Sequence, residues 1–123
     1  MDAIQQAIRE SLKKNRKNFE GIGLVIAGKP QIVVLETLEK AQDNLDAALK
    51  RFLYRIAIDT DNIHQLEEVN NVLYYDLQER QIICNLVRGS TESYIMVIVT
   101  GPKKAYKRAS KQLLKSLQEL LTP

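Results

Sequence analysis

The chain of 123 residues carries a net charge of +3, with 45% apolar and 27% charged residues. That length suits one domain, spanning 1–123, with one core, and the composition excludes an intrinsically disordered chain. The lone cysteine, Cys84, excludes an internal disulfide framework. The longest apolar runs are about six residues, where a membrane-crossing helix needs roughly twenty. The start, Met1 to Gln6, has no apolar stretch to serve as a signal-peptide core. The expectation is a cytoplasmic protein with no membrane span.

Residues 2–18 read as a helix, with Ile4, Ala7, Ile8, Ser11 and Leu12 on one stripe, before Gly21 and Gly23 break the pattern. Gly23–Ala27 reads as a strand, Gly28-Lys29-Pro30 as a tight turn and Gln31–Leu35 as a second, antiparallel strand. Thr37 is placed to cap a long helix over residues 38–56. Its stripe runs through Leu38, Ala41, Leu45, Ala48, Leu49, Phe52, Leu53 and Ile56. Asp59 to Asn62 is loop chemistry, and residues 63–69 allow a short extra helical turn.

Three strands follow, at 71–78, 81–87 and 93–99, and a helix over 103–121 closes the chain. Leu24–Ala27, Ile32–Leu35 and Ile95–Val99 are almost continuously apolar, as strands buried on both faces are. Turns this short forbid parallel pairing, so the expected solution is an α+β three-layer sandwich. It has a five-stranded antiparallel sheet, helices on both faces and the order α-β-β-α-β-β-β-α. The polar strand with Tyr74, Tyr75 and Asp76 belongs at an edge.

Charge is unevenly spread. From Gly101 onward six basic residues and one acid give +5, residues 1–20 give +2, and Glu36 to Glu79 gives −6. Both ends are basic and the middle is acidic.

Single residues with chemical potential fail on spacing or setting. His64 has no Cys, Asp or Glu cluster at ligand spacing. Cys84 sits among Ile82, Ile83, Leu86 and Val87, a place for a small hydrophobe rather than a reactive thiol. Gly28-Lys29 lacks the rest of a phosphate loop, and Asp59 and Asp61 lack the glycine and terminal glutamate of a calcium loop. The Lys103–Lys115 cluster is most plainly a solvated face. An acidic protein partner comes next, and nucleic acid or an anionic lipid surface last, because only Tyr106 interleaves with the cations. Tyr74 and Tyr75 point to opposite faces, so one of them could anchor an interface. The long helical stripe exceeds what one face can dock on a sheet; a second subunit or burial beneath residues 57–70 would absorb the excess.

This pattern resembles the Roadblock family of dynein light chains and bacterial GTPase regulators. The resemblance rests on Gly21-Ile22-Gly23-Leu24-Val25-Ile26 with its hairpin to Gln31–Leu35, the long central helix, and the Ile82–Val87/Tyr94–Val99 hairpin before the last helix. Lys29-Pro30 departs from it, standing where many members have an acidic-glycine turn, and the stretch from Thr37 to Val69 is longer than usual. The resemblance implies that the first and last helices share one face. It implies a homodimer with a continuous sheet, formed through residues 38–56 and 71–78, with Leu45, Ala48, Leu49, Phe52, Leu73 and Tyr75 at the interface. It implies a Ras-like small GTPase as partner, no cofactor and no catalytic site of the chain's own. A separate partner-binding basic face would comprise Lys13, Lys17, Lys103, Lys107, Arg108 and Lys111. The competing expectations are a nucleic-acid- or anionic-surface-binding domain built on the last helix, and, weakest, an enzyme with an unrecognised site.

Overall fold

The structure, a computed structural model, describes residues 2–39 and 44–122. Its elements are α1 (Asp2–Lys14), β1 (Phe19–Ile26), β2 (Ile32–Thr37), α2 (Leu45–Ala57), α3 (Thr60–Glu68), β3 (Val72–Tyr75), β4 (Gln81–Arg88), β5 (Ser93–Thr100) and α4 (Lys107–Leu121). The five strands form one antiparallel sheet in the order β2-β1-β5-β4-β3.

β5 is the middle strand, and its texture follows from that position. Ile95, Val97 and Val99 enter one core, Met96 and Ile98 the other, and all five are buried. The first core lies under α1 and α4 and is filled by Ile4, Ile8, Leu12, Phe19, Leu113 and Leu117. The second lies under α2 and α3, around Leu49, Leu53, Ile56, Leu66 and Cys84. Both faces of the sheet are therefore covered, as continuous apolar strands require. β2 is a partial exception. It is an edge strand, and of Ile32 to Leu35 only Val34 is fully buried.

Two small residues set how closely α2 approaches. A Cβ on Gly23 would stand 2.5 Å from Leu53 Cδ1, and one on Gly21 would stand 3.3 Å from Leu49 Cδ2. The glycines belong to β1, which begins earlier than the pattern predicts, and they let the helix sit directly on the strand. Gly28 has φ +90, the left-handed conformation that the hairpin turn needs.

The helices depart from the sequence pattern in three places. The central helix begins at Leu45, not at residue 38. Thr37 ends β2 opposite Gly21, and Leu38 N–H donates to Glu20 O at 3.0 Å, so strand pairing holds both. Leu38 packs against the α1/α4 core, and Ala41 lies outside the described residues. Second, residues 60–68 form a complete helix, α3. Asp59 is its N-cap and accepts a hydrogen bond from Asn62 N–H at 3.1 Å. Third, α1 ends at Lys14 and α4 starts at Lys107, each shorter than the apolar pattern allows.

Candidate interaction surfaces

The α2/α3 face is incompletely roofed. Five strands at about 4.8 Å spacing present a sheet roughly 19 Å across. α2 lies over β1 and β2, and the short α3 covers only part of β4. Between α2 and β3 a trough runs to the sheet edge, with Val99 and Ile82 on its floor and Ala48, Phe52 and Tyr74 on its walls. The Phe52 and Tyr74 rings meet edge to face, with centroids 5.8 Å apart and planes at 70°. The Arg55 guanidinium stands 5.8 Å from the Phe52 ring centroid.

Tyr74 is fixed by a hydrogen bond from its hydroxyl to Asn62 Oδ1 on α3. Burial is the main cause that raises its phenol above the ordinary range, with Cys84 and Asp59 adding to it. The trough ends at the β3–β4 turn. There Asp76 Oδ1 accepts from Gln78 N–H and Arg80 N–H, both at 2.9 Å, and Asp76 Oδ2 pairs with Arg80 Nε at 2.5 Å. This rigid turn presents Leu77, which is 99% exposed, beside β3, whose outer edge has no neighbouring strand among the described residues. An exposed apolar residue beside a free strand edge is an association surface unless it is covered.

The expected interface residues separate in space. Ala48 and Phe52 line the trough and are half-buried. Leu45 and Leu49 also line it, but they are 5% and 2% exposed and belong to the core. Leu73 packs against the core on the opposite face of the sheet, and Tyr75 is exposed at the edge. The tyrosine that packs on Phe52 is Tyr74, because strand alternation turns it, and not its neighbours, toward α2. The excess apolar stripe is resolved in part by α3, since Ile56 and Leu66 share one buried cluster. Arg51, Arg55 and Leu77 also line the trough, and the sequence pattern did not single them out. Leu77, a lone large apolar residue between Asp76 and Gln78, was the readable signal.

The basic segments of the two chain ends adjoin, but their side chains turn different ways. α1 and α4 pack together, but Lys13 and Lys17 line a groove on the β2 side with Arg9, Arg16, Glu36 and Glu39. The α1 cation that faces α4 is Lys14, near Ala109, Gln112 and Ser116. Lys103, Lys107, Arg108 and Lys111 are all exposed, as is His64 on α3. Cys84 is fully buried, and burial pushes its thiol up to about 12. Among the described residues no cluster of His, Cys, Asp and Glu is arranged to hold a metal ion, and no helix is long and apolar enough to cross a membrane.

A five-stranded antiparallel sheet with the helices of both chain ends on one face is the fold that the Roadblock resemblance implied. Solved structures share it. The gliding protein MglB of Thermus thermophilus matches with a TM-score of 0.67 at 13% identity, over 98% of this chain and 89% of that one. Myxococcus xanthus MglB matches with a TM-score of 0.66 at 10% identity, over 95% and 93%. An MglB described as having a tetrameric arrangement matches with a TM-score of 0.66 at 12% identity, over 98% and 88%. At these identities the likeness establishes the fold. No family model matches the chain, and no curated protein is similar to it in sequence.

Proposed function

We propose that the chain is a non-enzymatic protein-interaction module that pairs with a second copy through β3 and α2 and, as a dimer, regulates or scaffolds a Ras-like small GTPase. The observation that carries this reading is the trough beside the free β3 edge, where Phe52 and Tyr74 stand half-buried around the small Ala48. A second copy could pair along β3 and lay its own α2 near this small-residue surface, where Ala47 and Ala48 permit close approach. The fold shared with the MglB gliding proteins, one of them in a tetrameric arrangement, supports self-association. The GTPase rests on the Roadblock resemblance.

Ala48→Glu tests the dimer without cutting into the core, which Leu49→Glu would do. Sedimentation is expected to show a dimer at tens of micromolar for the native chain (about 7 kcal/mol of association or more) and a monomer for Ala48→Glu. A monomeric native chain, or a variant that stays dimeric, overturns the proposed interface. Native pull-down that recovers no small GTPase overturns the partner while leaving the dimer intact.

A further inference from the structure

We propose that the joined ends of α1 and α4 form a docking face for an anionic lipid surface. The fold brings together two basic segments that lie almost ninety residues apart in the chain. Gly101 N–H donates to Asn18 O at 3.0 Å, and Asn18 Nδ2 donates to Ala105 O at 3.1 Å. These bonds tie the end of α1 to the beginning of α4, so the two helices run antiparallel. The α1 end supplies Lys14 on the side of α4, with Lys13, Arg16 and Lys17 next to it toward β2, all exposed. The α4 end supplies Lys103, Lys104, Lys107, Arg108 and Lys111, also exposed.

Structural duties do not account for these charges. None of the four ion pairs among the described residues involves any of them. Neighbouring acids are engaged elsewhere: Glu36 with Arg9, Glu20 with Arg80, and Glu10 with Gln6. Glu36 and Glu39 line the β2-side groove with Lys13 and Lys17, and Glu36 is paired with Arg9. The first turn of α4 holds Lys107 and Arg108, contains no acid, and has no side-chain cap from Tyr106. Positive charge at a helix N-terminus opposes the macrodipole, so these cations lower helix stability rather than raise it.

The face suits diffuse negative charge rather than a protein hot spot. Protein interfaces are anchored by buried aromatic or aliphatic side chains. The exposed large apolar residues Tyr54, Ile58, Val69, Tyr75 and Leu77 all lie elsewhere, and Leu120 sits at the far end of α4. Tyr106 packs against the core and is not free to stack on a base. The two helices lie flat on the sheet, so neither projects to enter a nucleic-acid groove. A cluster of four to eight or so lysines and arginines on a flat surface is what anionic headgroups attract, each cation contributing near the surface.

The test is cosedimentation of the full chain with vesicles of phosphatidylcholine containing about a third phosphatidylglycerol, against pure phosphatidylcholine, at ~50 mM salt. Binding is expected only to the anionic vesicles. Each neutralised cation is expected to weaken it about fivefold, so Lys107→Gln with Lys111→Gln costs roughly 25-fold. Lys50→Gln, on the opposite layer, should leave binding unchanged, and equal melting curves confirm that the variants fold. No binding to anionic vesicles, an equal loss in Lys50→Gln, or tighter binding to duplex DNA than to the vesicles overturns the proposal.

Discussion

The two helical layers flanking the sheet bury comparable cores and leave opposite surfaces. α1 and α4 pack against each other and close their face, so every outward position is free to be polar, and cations collect there. α2 and α3 barely touch, and they leave an aromatic trough that runs to a free strand edge. The cause is geometric. Antiparallel helices of 13 and 15 residues roof the sheet, whereas a helix of 13 residues followed by one of 9 does not. The incomplete layer keeps apolar surface for a partner, and the complete one carries charge.

The largest expected effect comes from breaking the α2 layer at its centre. Leu53 is fully buried against Gly23, so Leu53→Ala should cost about 2–5 kcal/mol, read by denaturant unfolding. Vesicle binding by the folded fraction should persist, since α1 and α4 are untouched. A parallel loss of both would show that the two layers are not independent. A smaller effect is expected at α3. Asp59→Ala removes its cap and should cost ~1 kcal/mol, with hydrogen exchange rising in Thr60–Glu68 before it rises in α4.

Alkaline pH should sharpen the same contrast with a gentler force. Cys84 and Tyr74 both belong to the α2/α3 side, and burial raises the pKa of both. A raised folded pKa favours the protonated form in the native state. Its stabilising contribution is therefore complete below the unfolded value and lost as pH climbs toward the folded one. For Cys84 that window runs from 9.0 to about 12. Stability measured by urea unfolding should hold up to about pH 9 and fall above it, and thiol reagents at about pH 8 should leave Cys84 unmodified in the folded protein. Rapid modification under those conditions would mean that this layer opens far more readily than its packing indicates.

Much of this molecule was legible in local pattern. The continuous apolar run of Ile95–Val99 announced a strand buried on both faces, and the polar strand at Tyr74 and Tyr75 announced an edge. Those inferences worked because burial on one or two faces writes directly into a strand's period. The start of α2 was not legible. Leu38 and Ala41 continue the helical period, yet Thr37 pairs with Gly21 and Leu38 N–H bonds Glu20 O, so Leu38 stays beside the sheet. The cap of α3 is present in Asp59, with Ile63 and Leu66 at helical spacing behind it, but the loop-like composition around it masks the signal.

The sequence by itself determined the strands, the helices' inner faces, the unreactive setting of Cys84 and the basic character of both ends. These depend on residues near one another in the chain. Only the tertiary structure decided that Tyr74 and not Tyr75 meets Phe52, that Leu73 turns to the other core, and that Lys13 and Lys17 look toward β2 while Lys14 looks toward α4. Such choices depend on register and on the rotation of one helix against another. A single residue of slip, or roughly a hundred degrees of helix rotation, reverses them without changing the local pattern.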